Sequence, residues 1–220
     1  MLEIACFEIT SAETALKSMA DRIEFCAEFE LGGTTPDFYE FMHLKRTYQK
    51  PVYVMIRPKG GAFYYSESEF IEMKNSIITF GEAGADGFVF GILSPNNEID
   101  EAKNAELITL AGGIPCTFHR AFDHTADLEN SVEILIKLGF KAVLTSGGKK
   151  SVMEGKEQLK NLVAGYSDRI DILIGGGVRS DNVAELKEFT GGKYFHSSAI
   201  PKYDTFGSEA EIKKIKKLIS

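Results

Sequence analysis

The chain has 220 residues, 44% hydrophobic and 26% charged, which suits one large globular domain or two small ones, with enough apolar material for a sizeable core. Its 25 Lys and Arg against 32 Asp and Glu give a net charge of −7, which repels phosphate backbones and excludes general nucleic-acid binding. No apolar run approaches the roughly 20 residues that a membrane helix needs, and three widely spaced cysteines argue for a reducing compartment over a disulfide framework. The expectation is a cytoplasmic protein with no nucleic-acid partner and no membrane, which binds a small molecule or ion.

The opening residues, MLEIACFEI, lack a basic n-region and a cleavage pattern and read directly as a strand over Leu2–Cys6. Thr10 and Glu13 follow in capping-box spacing, with Ala12, Ala15, Leu16 and Met19 on one helical face. The second strand is expected over Arg22–Cys26. The helical stretch from Asp37 to Tyr48 then carries His43 toward solvent. Val52–Arg57 is the third strand, after which Ser66 and Glu69 repeat the capping signature ahead of Phe70, Met73, Ile77 and Phe80. Gly87–Gly91, Pro115–Arg120 and Ala142–Ser146 supply strands four to six, and Ser151 with Glu154 signals another helix start. Asp171–Gly175 and Tyr194–Ser197 complete the set. Ser208 and Glu211 open a last helix that turns Ile212, Ile215 and Ile219 inward.

Eight short strands, each followed by a helical stretch, imply parallel pairing, because every crossover returns the chain to the same edge. The pattern predicts a single (β/α)₈ barrel of α/β class over residues 1–220. A doubly wound open sheet is the competitor. The count of eight and the absence of a Gly-x-Gly-x-x-Gly opening favour the barrel.

In such a barrel the chemistry gathers at the C-terminal strand ends. There the sequence offers Cys6, Glu24, Cys26, Arg57, the stretch CTFHRAFDHT with His119 and Asp123, Ser146, the GGGV run with Gly176 and Gly177, and His196 with Ser197. Strand alternation points Glu24 inward, where Arg57 on the next strand is its expected partner. That pair reads either as a structural ion pair or as a substrate clamp. Thr117 and His119 are expected to face the mouth, and Cys116 and Phe118 the helix layer. His119 suits acid–base work, or a polar strand end bonded to Asp123 or a carbonyl. Asp123 is close enough to fold back onto Arg120 or His119, and His124 is expected in solvent. Gly176, Gly177 and Ser197 can cradle a phosphate or carboxylate, with Arg57, Ser146 and His196 nearby, or they simply close tight turns. Cys6 and Cys26 end neighbouring strands. They read as buried small hydrophobes or as a Cu(I) pair, and alternation turns Cys6 toward the helices if Glu3 faces inward.

The stretches MADRIEFCAEFELGGTTPDF, VYVMIRPKGGAFYYS, IPCTFHRAFDHTADLE, GFKAVLTSGGKKSVMEG, GGGV and FHSSA resemble the CutC family, in family order and over nearly the whole chain. The resemblance implies a cytoplasmic barrel that self-associates as a homodimer or higher homo-oligomer, is linked to copper homeostasis and binds Cu(I) through Cys6 and Cys26. The rival expectation is a lyase, isomerase or hydrolase acting on a small phosphorylated or carboxylated metabolite. Glu24, His119 and Asp123 then do the acid–base chemistry, and Arg57, Ser146, Gly176, Gly177, His196 and Ser197 hold the anion. No organic cofactor is expected in either case.

Overall fold

In the computed structural model, which describes residues 1–201 and 207–220, eight parallel strands close into one barrel in chain order. They are β1 (Leu2–Cys6), β2 (Arg22–Phe25), β3 (Val52–Met55), β4 (Gly87–Phe90), β5 (Cys116–Phe118), β6 (Ala142–Thr145), β7 (Asp171–Gly175) and β8 (Tyr194–Ser197), and β1 pairs with β8 to complete the ring. Helices α1 (Ile9–Lys17), α2 (Phe38–Thr47), α3 (Glu67–Glu82), α4 (Glu101–Leu110), α5 (Leu128–Leu138), α6 (Lys156–Tyr166), α7 (Val183–Thr190) and α8 (Glu209–Ile219) fall one in each interval. Among the described residues no helix is long and apolar enough to cross a membrane.

Alternation along each strand divides the core in two. The outward set, which includes Ile4, Cys6, Phe25, Val54, Phe88, Phe118 and Phe195, packs with helix residues such as Leu16, Phe41, Met73 and Leu107 in one continuous layer. Burying a phenylalanine there contributes about 2–3 kcal/mol, so this layer dominates the fold's stability. The barrel interior holds a separate small cluster of Cys26, Tyr53, Met55 and Val89, with Phe7 against it. Glu3, Glu24, Thr117, His119 and His196 bring polar groups to other inward positions, among small and apolar residues such as Ala5 and Leu144. Cysteine alternation therefore runs as expected: Cys6 lies in the barrel–helix layer and Cys26 in the barrel interior.

Inward glycines leave room for large inward neighbours. A Cβ at Gly87 would stand 2.4 Å from the Tyr53 ring, and one at Gly175 would stand 3.0 Å from His196 Cβ. These two strands thus yield interior space to a tyrosine and a histidine on the neighbouring strands.

Two helix starts differ from expectation. α1 begins at Ile9 after Glu8, whose carboxylate receives the Ser11 hydroxyl, so Thr10 lies inside the helix and does not cap it. Ser151 and Glu154 do bond to each other, but within a turn, and α6 starts later at Lys156. The capping boxes at Ser66 and Ser208 do open their helices, the first with both reciprocal bonds. In both places the local spacing is right, but the helix starts elsewhere and without a side-chain cap.

Candidate functional site

The strand ends surround a cavity of about 320 Å³, the size of a small metabolite. Its floor is a buried charge cluster. Glu3 on β1 accepts from Arg22, which stacks 3.9 Å over the Tyr53 ring, and its other oxygen lies 2.7 Å from His196 Nδ1. The opposite ring nitrogen, His196 Nε2, is 3.3 Å from Glu24 Oε2. One imidazole on β8 thus bridges the Glu3 carboxylate of β1 and the Glu24 carboxylate of β2, reaching the second past Ala5, which pairs with Glu24.

Burial opposes ionisation of Glu3, but the Arg22 guanidinium and the His196 ring outweigh it and hold this carboxyl below the usual range. Burial also opposes charge on His196, yet the Glu24 and Glu3 carboxylates reverse this and raise its pKa. Glu24 differs. Burial drives it up, His196 only partly offsets this, and Glu3 adds repulsion, so its carboxyl is pushed up to about 7. Its Oε1 is buried with no partner among the described residues, and Glu24 borders the cavity. This oxygen can carry a proton at neutral pH. Ligand atoms of Glu3, Glu24 and His196 lie within 4.8 Å of one another. Both ring nitrogens of His196 face carboxylates, which suits an imidazolium between two anions better than a metal ligand.

The expected Glu24–Arg57 pair does not form. Arg57 turns away at the end of β3 and donates to the carbonyls of Leu31, Gly33 and Gly61, at 2.7, 2.9 and 2.9 Å, beneath the Phe63 ring. It staples the loop that follows β2, including the short 3₁₀ turn Phe29–Leu31, over the cavity. An arginine has five N–H donors, and a loop rich in free carbonyls can use them where one carboxylate cannot.

His119 follows β5 and is 3% exposed. Its Nδ1 accepts from the Ala121 N–H at 3.3 Å, while Nε2 is buried without a partner among the described residues. Burial first, and the Arg57 charge second, push its pKa down to about 3. The ring therefore stays neutral at ordinary pH, and the expectation that it shuttles protons gives way to that of a fixed neutral donor. The seat is narrow: a Cβ at Gly91 would lie 2.8 Å from His119 Nδ1 and 2.9 Å from Phe118 Cζ. Gly91→Ala should cost about 1–3 kcal/mol and shift the His119 ring resonances, as measured by urea melts and NMR. Unmoved resonances would show that β4 does not seat the ring.

Asp123 and Ser146 do not border the cavity. They form a latch beneath its rim. Asp123, in the 3₁₀ turn Arg120–His124, accepts from the Ser146 and Gly148 N–H groups at 3.1 and 2.9 Å, and from Thr145 Oγ1 at 2.5 Å. It also holds Arg120 Nε at 2.8 Å, as the sequence suggested. Ser146 Oγ receives Arg120 and packs 3.0 Å from Asp123 Oδ2. Neither side chain is spare for a substrate, so these two expected site residues act as braces.

The rim beside β7 and β8 brings three of the expected anion-site residues together. Gly176 and Gly177 have φ of 115° and 92°, which a side chain resists, and they border the cavity with Ser197 and Ser198. Two residues missed in the sequence complete it. Arg120 lies close under Gly176, where a Cβ would stand 3.2 Å from its guanidinium carbon. Arg179 bonds Ser197 Oγ and Ser198 Oγ at 3.2 and 3.0 Å. Arg57, Arg120 and Arg179 thus give an acidic protein a cationic mouth.

Cys26 borders the cavity and Cys6 does not. The Cys26 N–H donates to the Cys6 carbonyl at 2.8 Å, so the residues are neighbours, but Cys6 Sγ lies against the Ile4 carbonyl in the outer layer. Burial, reinforced by the Glu24 charge, raises both thiols well above their ordinary range.

Fold and mouth define a (β/α)₈ barrel with a cationic, small-molecule-sized pocket at the C-terminal end of its strands. The chain belongs to the CutC family, whose sequence pattern matches residues 1–201. It is 40% identical over 199 residues to the human protein named copper homeostasis protein cutC homolog, covering 90% of this chain and 73% of that one. It is 42% identical over 200 residues to a CutC family protein of Vibrio vulnificus strain YJ016, covering 90% and 80%. A solved CutC structure from Streptococcus agalactiae superposes with a TM-score of 0.86 at 32% identity, covering 90% of this chain and 98% of that one.

Proposed function

We propose that the barrel mouth binds a small anionic metabolite and handles a proton on it through Glu24. The observation that carries this is the unpartnered, buried Glu24 Oε1 in a cavity whose rim bears Arg57, Arg120 and Arg179. A carboxyl kept near neutrality can accept or return a proton, and the guanidinium groups neutralise a phosphate or carboxylate. The Glu3–His196 pair orients Glu24 from behind. Calorimetric titration with inorganic phosphate and with glycolate tests the reading. Binding should weaken at least 10-fold in Arg179→Met and weaken with salt. No heat with either anion, or heat indifferent to Arg179, would remove it.

A second reading is Cu(I) transfer, and the adjacency of Cys26 to Cys6 favours it, as does the name of the human relative. Soft thiolates suit Cu(I). Here the ion must displace two strongly held thiol protons, and Cys6 must turn out of the helix layer. Competition against a colorimetric Cu(I) chelator under reducing conditions separates the two. Equal loss of tight binding in Cys6→Ser and Cys26→Ser supports the copper pair. Binding that needs Cys26 alone, or neither, removes it.

A further inference from the structure

We infer that His119 is a neutral hydrogen-bond donor aimed at a substrate carbonyl, and that with Glu24 as base it makes this mouth a site for removing a proton from the carbon beside that carbonyl. The inference rests on the anionic-metabolite reading above and names its reaction and substrate class.

The geometry begins with the tautomer. The Ala121 backbone can only donate, so the nitrogen it faces, His119 Nδ1, must be the acceptor, and the ring proton sits on Nε2. That N–H is buried and has no partner among the described residues, although its residue borders the cavity. A buried donor left unmatched costs about 1–3 kcal/mol. A histidine serving only as packing would gain nothing from that cost, whereas a ligand oxygen removes it. The same tautomer excludes Nε2 as a metal ligand, because its lone pair is occupied by the proton. It also differs from an imidazolium: a neutral donor can stabilise a forming oxyanion without giving up its proton.

Glu24 supplies the other half. It stands on β2 and His119 follows β5, three strands away around the eight-strand ring, and both border one cavity. Each carries an unpartnered buried polar atom, a carboxyl oxygen on one side and an N–H on the other. A base and a neutral donor across a gap complement an enediolate or enolate. In the step, the C–H bond breaks and its proton bonds to Glu24 Oε1. The electron pair becomes the new C=C bond, and the carbonyl oxygen takes the negative charge facing His119 Nε2–H. Returning the proton to the same carbon closes the cycle with no other reactant; in a hydroxy carbonyl compound, returning it to the former carbonyl carbon gives the isomer once the enediolate's hydroxyl proton passes to the neighbouring oxygen. The substrate class is a small aldehyde or ketone bearing a phosphate or carboxylate, whose anion meets Gly176, Gly177 and Arg179.

Two probes separate this inference from the reading beneath it. Inorganic phosphate reports the anion rim alone. Phosphoglycolohydroxamate adds an enediolate mimic. The wild type should bind the hydroxamate at least ~100-fold more tightly than phosphate. His119→Phe should lose at least 10-fold on the hydroxamate and leave phosphate binding within 2-fold, and His119→Gln, which keeps an N–H donor, should recover part of the loss. If both probes fail to bind, the anion reading falls and takes this inference with it. If phosphate binds but the hydroxamate gains nothing, or its gain survives His119→Phe, the anion reading stands and the carbonyl inference is overturned. Should the variants not fold, ¹⁵N NMR of the wild-type ring decides. A pyrrole-type Nε2 unchanged from pH 5 to 9 is expected, and an Nδ1–H tautomer or an imidazolium at pH 7 overturns the inference.

Discussion

Replacing Asp123 with alanine should cost about 3–5 kcal/mol, which for a chain of this length lowers the melting temperature by roughly 10 °C. The side chain is 5% exposed, and its two oxygens serve five groups on Arg120, Thr145, Ser146 and Gly148. Removing it strands two backbone N–H groups and leaves Arg120 without its anchor. The loss is counted in unmatched donors as well as in bonds. The damage should also travel. Ser146 lies under Gly176, where a Cβ would meet its side chain at 2.9 Å, and the Val152 N–H donates to the Gly176 carbonyl. Phosphate affinity should therefore fall together with stability. Asp123→Asn keeps the shape and one acceptor, and should recover about half the stability. Thermal melts of the two variants check this, and a loss under 1 kcal/mol for alanine would show that water replaces the carboxylate.

The size of that effect was not readable from sequence, and the reason is distance along the chain. Asp123 holding Arg120 spans three residues and follows from local reach. Asp123 holding the turn after β6 spans more than twenty, and it depends on two strand ends being neighbours in the closed ring. The same limit explains Glu24. Its inward direction came from alternation, a local property. Its partner His196 is brought by barrel closure across β1, and no spacing rule reaches that far. Arg57 failed as a partner because the loop carbonyls of Leu31, Gly33 and Gly61, in stretches that carry no hydrophobic period, captured its donors. The strands themselves were legible because each is a short apolar run ended by polar or glycine residues. Five of the eight overran the observed ladders by one to three residues, as Val52–Arg57 does against Val52–Met55, since the residues just past a strand continue its alternation without its pairing. Cys6 was the most demanding success: parity alone turned it toward the helices.

Stability should respond to pH through two buried groups with opposite signs. His119 is held neutral down to about pH 3, against 6.5 in the unfolded chain. Between those values the unfolded state binds the extra proton, so this group makes stability rise with pH by up to about 5 kcal/mol in all. Glu24 keeps its proton up to about pH 7, against 4.5 unfolded. Between those values the native state binds the extra proton, so this group makes stability fall with pH by about 3 kcal/mol. From pH 4.5 to 6.5 the two slopes oppose each other, and the wild type should be nearly flat there. Above pH 6.5 the raised His196 adds to the decline, because its proton is lost from the native state last. Glu24→Gln removes one opponent. Its stability should climb by about one proton's worth, near 1.4 kcal/mol per pH unit, across the window where the wild type is flat. His119→Gln removes the other, and its stability should fall across the same window. Urea unfolding at half-unit steps from pH 4 to 8 measures both. Carboxylates away from the Glu3–His196–Glu24 cluster act equally on all three proteins and cancel in the differences. A Glu24→Gln offset that stays constant with pH would mean that Glu24 is already ionised in acid, and the proposed base would have no proton to exchange near neutrality.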